Sequence, residues 1–173
     1  GQEMLKVTRL SAKFDIMPFF KGKISISSVQ LFGFNINLRK ETPDSPPNFK
    51  FVLDAFASKD TVKKENSLDL RINSILIRRG RMSYHVLSEE ETPGKFNAKH
   101  IQLQNIIANI SLKALSKDSL NLGIKRLSLD EKASGFSLKK MSLKLVANNK
   151  QTNIDNFTIE LPETSLKLDT IHL

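Results

Sequence analysis

The stretch FSLKKMSL, residues 136–143, alternates apolar and polar residues, breaks the beat for one step at Lys139-Lys140, and resumes it. With Φ for an apolar residue the unit is Φ-x-Φ-x-x-Φ-x-Φ. It recurs at Leu5, Val7, Leu10 and Ala12, and at Ile24, Ile26, Val29 and Leu31. It returns at Leu70, Ile72, Ile75 and Ile77, and at Ile101, Leu103, Ile106 and Ala108. Leu122, Ile124, Leu127 and Leu129 carry it again, as do Leu166, Leu168, Ile171 and Leu173; Ile154, Phe157, Ile159 and Leu161 form a copy lacking its first Φ.

Alternate side chains on a strand point to opposite faces, so Φ-x-Φ makes one oily and one wet face. A two-residue spacer in a regular strand would throw the second pair onto the wrong face. Either a β-bulge absorbs the extra residue and bends the strand, or the spacer is a corner between two walls of a curved sheet. Both devices curve the sheet about its oily face. A 3.6-residue helical period does not keep such pairs. The expected fold is therefore all-β and mainly antiparallel, an elongated curved sheet.

The interruptions fit short strands in an antiparallel meander. RKETPDSPP (39–47), SKDTVKKEN (58–66), LSEEETPGKFN (87–97) and VANNKQTN (146–153) read as polar connections. One segment leaves the beat: Phe49, Val52, Leu53 and Phe56 fall at i, i+3, i+4 and i+7. That spacing predicts an amphipathic helix near 48–58 with Asn48 as N-cap. Residues 1–173 read as a single β-rich region. It opens and closes inside alternating segments, so a piece of a longer protein is expected.

Composition removes several chemistries. There is no cysteine, hence no disulfide, thiolate nucleophile or cysteine zinc site. Lys plus Arg exceed Asp plus Glu by 27 to 18, a net charge of +9, with the lysines dispersed as on a solvated face. With no tryptophan and one tyrosine, the basic residues lack the exposed aromatics of single-strand nucleic-acid readers, and no nucleic-acid partner is expected. No phosphate loop, nucleophile elbow or H-E-x-x-H occurs. His85 with Glu89, Glu90 and Glu91 is the one His/carboxylate neighbourhood, and it reads as a solvated loop rather than a metal or acid/base site. Asn109-Ile-Ser111 and Asn156-Phe-Thr158 match the short glycosylation sequon. No enzyme, cofactor or metal is expected.

A sheet with one apolar face can close on itself, be covered by the helix, or stay open as a trough. An open trough calls for an apolar ligand or partner. Its lining would be Phe14, Ile24, Ile26, Val29, Leu31, Phe34 and Ile36, with Phe136, Leu138, Met141 and Leu143 downstream. The competing reading is a β-sandwich recognition or adhesion module at the cell surface, with a sealed core.

Residues 5–40, with the turn MPFFKGKISI and then VQLFGFNINL, resemble the N-terminal region of the AsmA/TamB family of Gram-negative envelope proteins. LRINSILIRRGRMSYH (70–85) is similar to the family's next block. LSLDEKASGFSLKKMSLKL (127–145) and FTIELPETSLKLDTI (157–171) resemble segments of TamB-like proteins of the Bacteroidetes. The acidic loop at 87–97 has no counterpart in that pattern. The resemblance implies a non-enzymatic periplasmic protein, anchored to the inner membrane by an N-terminal helix, with an elongated oily groove called a β-taco. It further implies phospholipid transfer to the outer membrane, or assembly of outer-membrane proteins. Its partners would be acyl chains or unfolded outer-membrane β-strands, with an outer-membrane barrel alongside.

Overall fold

The computed structural model describes residues 3–15, 23–51, 69–115 and 119–172. They form a single open, curved sheet of eight strands in sequence order. The strands are β1 (Leu5–Asp15), β2 (Lys23–Lys40), β3 (Asp69–Val86), β4 (His100–Leu115), β5 (Ser119–Glu131), β6 (Ser137–Asn148), β7 (Thr152–Glu160) and β8 (Ser165–His172). The extensive contacts between strands all run between ladder neighbours. Among the described residues no second sheet packs on the first.

All neighbours pair antiparallel except β2 and β3, which are parallel. The expected meander is thus broken once. Residues 41–68 separate the two strands in sequence, and a parallel step needs a crossover of a dozen or more residues. Of the helix expected near 48–58, only Lys50 and Phe51 of the described residues have helical conformation; 52–58 lie outside them. Asn48 is engaged differently from an N-cap: its Oδ1 accepts from the Arg39 amide at 2.9 Å, and its Nδ2 donates to the Asn37 carbonyl at 2.9 Å. It ties the connection to the end of β2.

Several of the doubled spacers are bulges. Asn105 and Asn156, each the second residue of a two-residue spacer, have positive φ, as do Gly33 and Arg79, which follow the units that end at Leu31 and Ile77. At Lys139-Lys140 the extra residue is absorbed against β5, where Leu127 faces Met141 and Leu129 faces Leu138. Similar slips occur between Ile72 and Ile75, Gln104 and Ile107, and Ile124 and Leu127. In the parallel pair the spacers of β2 and β3 fall side by side, so Val29 to Leu38 match Ile75 to Tyr84 without a shift. In the antiparallel pairs β3–β4, β4–β5 and β5–β6 they meet at different heights, and the register slips instead.

Two glycines follow from this crowding. A Cβ on Gly33, already at φ +64°, would meet Thr8 Oγ1 at 2.7 Å. A Cβ on Gly80 would meet the Phe34 ring at 2.3 Å and Ile106 at 3.1 Å, so Gly80 is the space that Phe34 fills.

Candidate functional site

Register places the apolar positions of successive strands on one face. Leu10, Leu31, Ile77, Ala108, Leu127, Met141, Ile159 and Leu166 are consecutive partners across all eight strands. So are Phe14, Ile26, Ile72, Leu112, Leu122, Leu145, Ile154 and Ile171. Between them Ala12, Val29, Ile75, Ile110, Ile124 and Leu143 form a third row over six strands. Seven interstrand steps of about 4.8 Å make each full row on the order of 34 Å long.

The two faces differ in exposure. Phe34, Ile106, Ala108, Leu112 and Leu138 are all buried, whereas their outward neighbours Asn105, Ile107, Lys113 and Lys139 are exposed. Curvature crowds the apolar face. Yet no described side chain is below 2% exposed, and the rows open toward solvent at Leu10, Phe14 and Leu166.

Of the expected lining residues, Phe14, Ile26, Val29, Leu31, Phe34, Ile36, Leu138, Met141 and Leu143 lie on β1, β2 and β6 in these or adjoining rows. Phe14 sits at a register slip beside Lys13 and is 65% exposed. Ile24 pairs with Leu70, and its side chain is outside the described residues. Phe136 stands apart: it precedes β6, is exposed, and its carbonyl accepts from the Glu131 amide at 2.7 Å. The rows also take in residues of β3, β4, β5 and β7 that the lining expectation omitted. Their apolar spacing was visible, but the partner of each was not.

The opposite face is not purely polar. Phe32 and Ile107 are exposed there, and the Arg79 guanidinium lies 5.2 Å from the centre of the Phe32 ring. Arg78 and Arg126 line the same depression. Phe32 falls just after the unit that ends at Leu31, so the alternation gave it no face.

Two polar clusters lie toward one end of β3, β4 and β5. Glu131, 3% exposed, accepts from the amides of Gln102 at 3.1 Å, Ala133 at 3.2 Å and Ser134 at 2.7 Å, and from the Ser134 hydroxyl at 2.6 Å. Burial, the largest single influence, raises its pKa, but these hydrogen bonds together outweigh it and hold the carboxyl below its usual value. Asp130 is also held low, first by Asn105 and then by Ser137. Both carboxylates staple strands and turns.

The second cluster was not legible from spacing. His85 and His100 are direct partners across β3 and β4, on the face opposite Tyr84 and Ile101. Their Nδ1 atoms are 3.0 Å apart and the rings are 5.3 Å apart. His100 is 7% exposed, and its Nε2 donates to the Glu89 carbonyl at 2.9 Å. Glu91 Oε1 lies 3.9 Å from His85 Nδ1. The loop expected to be merely solvated folds back over these rings. No family model, curated protein or solved structure matches the chain.

Proposed function

We propose that this chain is a non-enzymatic, AsmA/TamB-like envelope module that holds apolar chains along the oily face of its sheet. In the whole protein the module would be periplasmic and tied to the inner membrane. The observation that supports this reading is the pair of apolar rows that cross all eight strands without a polar interruption, on a face over which no described element packs. Burying one Leu or Ile is worth about 1.5–3 kcal/mol, so such rows favour an apolar occupant. Rows on the order of 34 Å are long enough for an extended phospholipid acyl chain. Phospholipid is the occupant argued for. An outer-membrane β-segment is the second reading, because β1 and β8 each pair on one side only among the described strands, and a free edge accepts an added strand.

Native mass spectrometry of protein purified without detergent tests the reading. Co-purifying phospholipid is expected. Leu10→Glu with Leu166→Glu should lower lipid occupancy severalfold while the sheet still folds, because both side chains are exposed in the row they share. A folded wild-type protein that takes up no lipid from mixed vesicles would refute the acyl-chain reading. Capture of a synthetic β-peptide at β8 in the same protein would favour the second.

A further inference from the structure

We propose that His85, His100 and Glu91 form a binding site for a first-row divalent cation, Zn²⁺ foremost, independent of the oily face. One ligand atom from each residue lies within 4.8 Å of the others.

Three observations converge. The first is the presentation of His100. A carbonyl oxygen can only accept, so the Glu89 carbonyl fixes the His100 proton on Nε2. In the neutral ring this leaves the Nδ1 lone pair aimed at His85. Such a bond from the distal nitrogen to a carbonyl is the usual support of a metal-ligating histidine.

The second is the meeting of the two Nδ1 atoms at 3.0 Å. Two lone pairs cannot face each other at that distance without a cation between them. In the metal-free chain it is a proton on His85 Nδ1. A metal ion bound to both nitrogens would replace it, with the His85 proton passing through solvent to its own Nε2 so that the ring stays neutral.

The third is spacing. Four-coordinate zinc, with bonds of about 2.0–2.1 Å, keeps its ligand atoms about 3.3 Å apart. The 3.0 Å and 3.9 Å separations bracket that value. Glu91 is on an exposed stretch of loop and can close the remaining gap. Solvent would fill the fourth position.

The surroundings favour a single ion. The loop is pinned on both sides: the Lys99 ammonium pairs with Glu89 at 2.5 Å, Asn97 Nδ2 donates to the Glu90 carbonyl at 3.1 Å, and the Gly94 amide donates to the Ala133 carbonyl at 3.0 Å. Arg39 neighbours His85 on β2 and opposes a cation; the Glu91 carboxylate offsets it. Imidazole nitrogens with one carboxylate suit Zn²⁺ and its neighbours better than Mg²⁺ or Ca²⁺.

The test is calorimetric titration of the 173-residue chain with Zn²⁺ at neutral pH, alongside Co²⁺ with its visible spectrum recorded. One equivalent of Zn²⁺ should bind saturably, and Co²⁺ should give a low-coordinate absorption band. His85→Asn should weaken Zn²⁺ at least tenfold. Glu91→Gln, at an exposed position where folding is not at stake, should weaken it severalfold. No saturable uptake by wild type overturns the site. Uptake unchanged in Glu91→Gln, or in a His85→Asn protein with wild-type circular dichroism, places the ion elsewhere and overturns it equally.

Discussion

At the scale of single residues, the most demanding group is Glu131. A nearly inaccessible carboxylate is costly unless its oxygens are hydrogen-bonded, and here both are, by three amides and a hydroxyl. Because its folded pKa lies below the ordinary 4.5, the unfolded chain takes up the proton first as pH falls. The stability it contributes is therefore fully present above about pH 4.5 and is lost as pH drops through the lower folded value. Asp130 adds the same sign below its ordinary 3.8. Urea unfolding between about pH 7 and pH 3 should show this loss. Glu131→Gln should cost about 1–3 kcal/mol near neutrality, since a hydrogen bond to a charged group is worth about that much, and should flatten the acid limb. A variant with wild-type stability and an unchanged acid limb would show that the staple carries no weight. Nothing in "LDEKASG" singles out this carboxylate: its amide partners come from β4 and from its own turn, and only the folded chain brings them together.

At the scale of the strand, the controlling device is the extra residue. Asn105, at φ 53°, carries Leu103 and Ile106 onto the same face although three positions separate them. Removing Asn105 should restore strict alternation with Leu103 and Ile106 still on one face, but take out the bulge that bends β4 within the curved sheet. The deletion is expected to abolish cooperative unfolding, or to lower the urea midpoint far more than Asn105→Gly, which suits a left-handed backbone. Equal midpoints for the two variants would mean the bulge is incidental. This is also the level at which the sequence was most readable. The period of two, the doubled spacers and the curved sheet follow from side-chain direction alone. The choice between bulge and corner did not, because it depends on what each spacer meets on the next strand. Nor did the parallel β2–β3 step: equal spacing in the two strands is visible, but it has meaning only once they are known to be neighbours. His85 and His100 were hidden for the same reason, since a cross-strand pair leaves no signature in sequence distance.

At the scale of the whole molecule, strand order equals chain order, and among the described residues each strand packs mainly on the strands beside it. Stability in such arrays is a sum of local terms and neighbour terms. Amide hydrogen exchange should therefore be graded, slowest in β3, β4 and β5, where Gly80, Ile106, Ala108 and Leu112 are buried, and fastest in β8 and β1, whose residues are mostly exposed. Uniform protection across all eight strands would contradict a nearest-neighbour sheet. A ribbon assembled in this order behaves like a zip fastener rather than a knot. Taking away the outermost tooth leaves every other pair meshed, and a further tooth of matching pitch can join at either margin without disturbing those already closed.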